Sequence, residues 1–179
     1  MMSSLIGFSL GSTDGPFFHA VNPVTGKKLP TPYALSTDAE IQLACNMADQ
    51  ARLKLANFSG SEKAEFLRTL ADLLEQAVED LVPIMLSETG LPEPRIRAEN
   101  GRTCGQLRMF ADLVEQGNWV DARIDRAQLD RNPLPKPDLR SMLRPIGPVA
   151  VFCASNFPLA FSVAGGDTAA ALAARCPVV

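Results

Sequence analysis

The sequence is poor in several features that would name a function. It holds one histidine, His19, so no histidine cluster can bind a metal. Its four cysteines, Cys45, Cys104, Cys153 and Cys176, are widely scattered. No C-x-x-C pair suggests a zinc site or a redox dithiol. Neither G-x-G-x-x-G nor a G-K-[ST] phosphate loop occurs, so no glycine motif names a nucleotide. No apolar run approaches the roughly 18 residues that would cross a membrane as a helix. The opening Met1-Met2-Ser3-Ser4 lacks the basic stretch and long apolar segment of a signal peptide. Charge of one sign is missing too. With 17 Lys+Arg against 20 Asp+Glu, the net charge of −3 leaves no footprint for nucleic acid or an anionic membrane. Scattered thiols without a leader are expected to be reduced in the cytoplasm.

What is present is a folding sequence. Apolar residues make up 46% and charged residues 21% of 179, enough for one domain with a core. Residues 1–37 are punctuated by glycine and proline and read as irregular or short-strand structure. Phe17, Phe18 and Val21 can form a short strand before the turn signal Asn22-Pro23-Val24-Thr25-Gly26. Residues 38–57 read as a helix capped by Thr37 or Asp38, with Ile41, Cys45, Ala48 and Leu55 on its apolar face. Ser59 and Glu62 have capping-box spacing and open a helix over 60–88, stopped by Thr89-Gly90. A third helix spans about 93–116, with Ile96, Cys104, Leu107, Phe110 and Val114 inward and Gly117 closing it. Three such helices in series predict mutual packing. Glu88, Glu93, Glu99 and Glu115 read as solvated. Arg95, Arg97 and Arg102 with Glu99 read as a mixed polar helix face.

After Trp119 the pattern changes. Residues 120–125 alternate like a half-buried strand, and 139–144 can be their extended partner. Val149-Ala150-Val151-Phe152-Cys153 is short, β-prone and apolar throughout, as a central strand of a parallel sheet reads. A loop follows at 154–158. A small-residue helix over 160–174 is interrupted by Gly165-Gly166, which is expected to allow close helix–sheet packing, and Pro177-Val178-Val179 begins another apolar strand. Strand, loop, helix and strand predict one βαβ unit. A parallel pair needs neighbours, so the chain is expected to be the N-terminal segment of something larger.

The loop after the first strand is where open α/β sheets bind ligands. Asn156 either donates its amide N–H to a developing oxyanion or caps the following helix. Ser155 offers a hydroxyl, and the backbone of 152–155 can line a cofactor ribose. Cys153 has no base to activate it, since His19 cannot be placed beside it, and reads as a strand-end thiol.

Arg144-Pro145-Ile146-Gly147-Pro148-Val149-Ala150-Val151-Phe152-Cys153-Ala154-Ser155-Asn156-Phe157-Pro158-Leu159 resembles the aldehyde dehydrogenase superfamily, and 160–179 continues the likeness. Ser155 through Thr168, Glu88-Thr89-Gly90-Leu91-Pro92, Gly101-Arg102-Thr103, Gly105-Gln106-Leu107-Arg108 and Pro137-Asp138-Leu139-Arg140 look like the α-ketoglutaric semialdehyde dehydrogenase branch. The resemblance implies an α/β fold: the N-terminal part of the aldehyde dehydrogenase fold, helices plus an incomplete Rossmann-like parallel sheet, with strands of the oligomerisation region. It implies that 1–118 and 145–179 belong to the cofactor-binding domain, the latter as a truncated βαβ unit, and that 119–144 resembles oligomerisation strands. Carried over, Asn156 is the catalytic oxyanion donor, and the backbone at Phe152, Cys153, Ala154 and Ser155 approaches the nicotinamide side of NADP or NAD, with NADP favoured.

The family's nucleophilic cysteine, its glutamate base and the lysine that contacts the adenosine ribose match nothing in these residues. The isolated segment is therefore expected to be inactive. The full enzyme would convert an aldehyde to its acid. The implied partners are a small aldehyde and further copies of the chain or the missing remainder of the enzyme, with no nucleic acid, membrane or metal. Three departures stand out: Ala154-Ser155 where Pro-Trp is common, Asp167 where lysine is common, and Arg175 where glycine is usual. The last questions the local turn. The alternative function is a noncatalytic assembly or binding protein built on the same fold.

Overall fold

The computed structural model describes residues 1–179. Two short hairpins open the chain: β1 (Leu5–Ile6) with β2 (Ser9–Leu10), and β3 (Phe17–Val21) with β4 (Lys28–Ala34). In β3–β4, Phe18 faces Tyr33 and His19 faces Pro32, with an irregularity before Val21↔Lys28. The turn forms as its residues dictate. The Asn22 side-chain oxygen accepts from Val24 N–H at 2.9 Å and from Thr25 N–H at 3.1 Å, and Gly26 takes φ +68°.

Helices α1 (Asp38–Asn57), α2 (Gly60–Thr89) and α3 (Glu93–Gln116) follow. Thr37 with Glu40, and Ser59 with Glu62, form reciprocal capping boxes. Left-handed Gly90 and Gly117 end α2 and α3. Pro83 is accommodated within α2.

The core lies where α2 and α3 run antiparallel. Leu67 and Ala71 meet Cys104, Leu107, Ala111 and Val114, and Ala169 and Ala173 cover them from α4 (Gly166–Ala173). Gly60 permits the approach at one end: a Cβ there would stand 2.4 Å from the Val114 carbonyl oxygen. Arg68, Arg97 and Arg108 bridge the two helices to Asp112 and Glu115, Glu79, and Asp72 and Glu75. These pairs face solvent, so each adds at most about 1 kcal/mol. A second cluster joins Val82, Ile96 and Leu159. The stripe Ala98, Gly101, Gly105 and Met109 of α3 is exposed, and a Cβ at either glycine would meet nothing.

Helix α1 departs from the expected three-helix packing. Ala48 is its one buried residue, while Ile41 and Cys45 are exposed. Amphipathicity tells which side wants burial, not which partner supplies it.

The expected extended pieces after Trp119 do pair, but over three residues each, and the strand expected to be half-buried is exposed throughout. A short 3-10 turn (Asn118–Val120) leads into β5 (Arg123–Asp125), which joins β6 (Leu139–Ser141) with Ile124 opposite Arg140.

The Rossmann-like parallel sheet is not formed. The chain has three two-stranded sheets, and all three are antiparallel. Residues 149–153 and 177–179 meet only at an isolated parallel bridge, Val149↔Val178. It is held by Val149 N–H to Pro177 O (2.8 Å), Val179 N–H to Val149 O (3.0 Å) and Val151 N–H to Val179 O (2.9 Å). Parallel ladders are weaker per residue and are found with both faces covered. Here no third strand flanks the pair, and Phe152 is 90% exposed.

The expected helix over 160–174 is also shorter. Residues 158–165 form successive turns, and α4 starts only at Gly166. Gly166 N–H returns to the Ala160 carbonyl at 2.9 Å, and a Cβ on Gly165 would lie 2.6 Å from that oxygen. The two glycines thus serve a tight turn and, through Gly166 against Gln106, close helix–helix approach rather than helix–sheet packing.

Candidate functional site

The segment 149–153 is extended and runs between two grooves. Phe152 lines a groove of about 610 Å³ with Trp119, Ile146, Val149 and Asp167. Cys153 lines another, of about 750 Å³, with Phe8, Met47, Phe66 and Val163. Asp167 sits in the first turn of α4, where the helix dipole favours a carboxylate.

Past Cys153 the chain turns sharply. Ala154 N–H donates to the Phe161 carbonyl at 2.8 Å, Phe157 N–H to Ala154 O at 3.2 Å, and Phe161 N–H to Phe157 O at 3.1 Å. These bonds close a compact loop with Ser155 and Asn156 exposed at its tip. The Asn156 side chain makes no hydrogen bond within the chain, and Gly165, not Asn156, caps α4. Of the two roles open to Asn156, helix capping is the one this geometry does not use.

The backbone N–H and C=O groups of Phe152, Cys153 and Ser155 also make no hydrogen bond within the chain, whereas Ala154 uses both of its own. Unpaired backbone donors and acceptors beside a groove are suited to a polar ligand such as a ribose or carboxamide. This donor set fits a dinucleotide. The five expected site residues, Phe152, Cys153, Ala154, Ser155 and Asn156, are contiguous, but Phe152 and Cys153 address different grooves.

His19 is not part of this place. It lies in β3, where its Nδ1–H donates to the Leu29 carbonyl at 2.7 Å. Cys104 and Cys176 are buried, while Cys45 and Cys153 are exposed. Burial, reinforced by the Glu75 charge, raises the Cys104 thiol above its usual range.

The α3 face read as polar surface carries more than expected. Glu99 is 5% exposed. Its carboxylate accepts from Arg95 Nε at 3.3 Å and from Leu159 N–H at 3.4 Å. Arg95 Nη2 donates to the Asn156 carbonyl at 2.7 Å, and its guanidinium lies 4.9 Å from the centre of the Phe157 ring. The Thr103 hydroxyl sits 3.1 Å from the Leu159 carbonyl. Glu99 is therefore not the solvated residue expected. The signal was the Arg95-Glu99-Thr103 spacing of four, which places all three on one stripe of a helix.

At the far end of α4, Lys63 is 3% exposed. Its ammonium donates to the Ala173 carbonyl at 3.3 Å and lies 5.0 Å from the centre of the Trp119 ring. Burial, aided by the charge of Arg175, pulls its pKa down to about 8. Arg175 takes φ +66°, the conformation that favours glycine. The doubt over the turn raised by an arginine there thus resolves into a non-glycine residue held left-handed.

Comparison with known proteins agrees with this fold. The sequence model described as the aldehyde dehydrogenase family matches residues 11–179. The chain is 43% identical over 176 residues to α-ketoglutaric semialdehyde dehydrogenase 2 of Azospirillum brasilense, covering 98% of this chain and 34% of that protein. It is 49% identical over 152 residues to an α-ketoglutaric semialdehyde dehydrogenase of Acinetobacter baylyi, covering 84% and 29%. The crystal structure of succinate-semialdehyde dehydrogenase from Burkholderia pseudomallei is 27% identical with a TM-score of 0.80, over 100% of this chain and 35% of that one. The chain thus spans about a third of the length of the curated relatives it matches.

Proposed function

The chain belongs to the aldehyde dehydrogenase family, and from that premise we propose that the full-length protein oxidises α-ketoglutaric semialdehyde to its acid with NAD(P). One observation carries the reading: a loop at 152–156 in which the Asn156 amide and the backbone groups of Phe152, Cys153 and Ser155 are left unbonded by the chain, in a sequence similar to two α-ketoglutaric semialdehyde dehydrogenases. In this reading the Asn156 amide donates to the carbonyl oxygen as it gains negative charge, a term worth about 3–4 kcal/mol in comparable sites. The backbone at Phe152, Cys153 and Ser155 holds the nicotinamide side of the dinucleotide, while Ala154 fixes the turn between them through its own two hydrogen bonds. When bound, the dinucleotide accepts the hydride.

Residues 1–118 and 145–179 then serve the cofactor-binding part, and the β5–β6 hairpin within 119–144 serves contact between subunits. Exposed Ile124 and Leu139 on that hairpin support a homo-oligomer. NADP is preferred over NAD, and the free thiols suit the reducing cytoplasm. No helix is long and apolar enough to cross a membrane.

The test is to supply the purified full-length protein with α-ketoglutaric, succinic and glutaric semialdehydes in turn, with NADP+ or NAD+, and follow dinucleotide reduction. The expected result is the highest kcat/KM with α-ketoglutaric semialdehyde and NADP+. Failure to reduce either dinucleotide with any of the three aldehydes overturns the reading.

A further inference from the structure

Three backbone groups of the 154–161 loop end on one stripe of α3. The Asn156 carbonyl meets Arg95, the Leu159 N–H meets Glu99, and the Leu159 carbonyl meets Thr103. Leu159 itself is buried against Val82 and Ile96, so this side of the loop is anchored in the smaller core. The tip is anchored differently. Among the bonds at Asn156, the Arg95 donation to its carbonyl is the one that reaches α3, and it is reinforced by the guanidinium over the adjacent Phe157 ring. Arg95 performs two tasks with different nitrogens: Nε serves the buried Glu99 carboxylate, while Nη2 serves the Asn156 carbonyl.

From this geometry we propose that Arg95 is a positioning residue that fixes the backbone of Asn156 and thereby aims its amide at the reacting oxygen. The proposal rests on the reading of Asn156 as the oxyanion donor. The physical basis is that donor placement matters steeply: a displacement of about 1 Å can cost on the order of a hundredfold in rate. Glu99 orients Arg95 from a buried position, and beyond the tip the loop is held by buried Leu159, whose N–H meets Glu99 and whose carbonyl shares the Thr103 hydroxyl with the Glu99 carbonyl. A guanidinium can reach both acceptors because its donors form a rigid fork. A lysine carries all its donors on a single nitrogen and lacks the fork, so it is expected to keep Glu99 paired and to lose the bond to the Asn156 carbonyl.

That difference supplies the test, made on the full-length protein with α-ketoglutaric semialdehyde and saturating NADP+ or NAD+. Asn156→Ala is expected to lower kcat by about 10²–10³-fold. Arg95→Lys is expected to lower kcat roughly tenfold or more, with the KM for dinucleotide and the Tm little changed. The double variant is expected to be no slower than Asn156→Ala alone, because Arg95 acts through Asn156. Arg95→Met, which also strands the Glu99 charge, is expected to lose Tm as well as kcat.

An unchanged kcat in Arg95→Lys, or losses that multiply in the double variant, overturns the positioning role while leaving the Asn156 reading intact. An unchanged kcat in Asn156→Ala overturns the reading, and the positioning role with it.

Discussion

At the scale of the single residue, the informative position is Arg175. It follows α4 in the left-handed conformation, with its N–H on the Leu172 carbonyl at 3.0 Å and the next N–H, of Cys176, on Ala171 at 2.8 Å. This is a helix ending in which glycine is preferred, because a Cβ in that conformation costs roughly 1–2 kcal/mol. Arg175→Gly is expected to raise stability by about 1 kcal/mol in urea unfolding. The same substitution removes one of the two causes that lower Lys63. The sign of the remaining pH dependence follows from linkage. A lysine with its folded pKa near 8, below its ordinary 10.5, binds fewer protons folded than unfolded between those values. Its burial therefore disfavours the fold fully below pH 8, and stability rises as pH climbs from about 8 toward 10.5. Urea midpoints across that window should rise for the parent chain and lose that rise in Lys63→Met. A flat parent profile would show that Lys63 is better solvated than its surroundings suggest.

At the scale of the element, what could be read from the sequence was local chemistry. The Ser59–Glu62 and Thr37–Glu40 boxes form because both partners lie within one helical turn. The glycine stops at Gly90 and Gly117 form because no other residue adopts that backbone so cheaply. What could not be read was partnership. The apolar run at 149–153 states a preference for burial and has the composition of a parallel strand, yet pairing depends on neighbours the run does not specify. The burial of Glu99 depends on a loop about sixty residues away, which the local sequence around it does not announce. Of the candidate site, the exposed loop carrying Asn156 is legible in the sequence, whereas the contact of Arg95 with that loop is not, because residue spacing gives the helix face but not what lies against it. Helix α3 yields a prediction at this scale. Gly101 and Gly105 lie inside the helix on its exposed stripe, with open space where a Cβ would stand. Gly101→Ala and Gly105→Ala are each expected to stabilise the chain of residues 1–179 by up to about 1 kcal/mol, seen as a higher Tm. A loss of stability in either would mean that α3 is packed on a side where this structure is open.

At the scale of the whole molecule, the chain combines a small helical core with extensive exposed apolar surface. Phe8, Ile146, Phe152 and Val163 are all exposed, and an apolar groove of about 750 Å³ runs between α1, the first hairpin and 177–179. The four thiols report on this uneven burial. Alkylation of the native chain followed by peptide mapping should modify Cys45 and Cys153, while Cys104 and Cys176 should react only after denaturation. For Cys104 the raised thiol pKa reinforces the protection, since the thiolate is the reacting form. Equal labelling of all four would mean that the α2–α3 core opens readily.

Helix α3 itself is used on nearly every side. Its apolar face fills the core, its arginines bridge to α2, and Arg95, Glu99 and Thr103 hold the 154–161 loop. The consequence concerns how the sequence can drift. Stability and site geometry are written into the same two dozen residues, so selection on either constrains both. A saturation-mutagenesis profile of α3 should show tolerance at the exposed positions, Ala98, Gly101, Gly105 and Met109 among them, with intolerance split between core positions such as Leu107 whose variants lose the folded protein and Arg95, whose variants keep it but lose turnover.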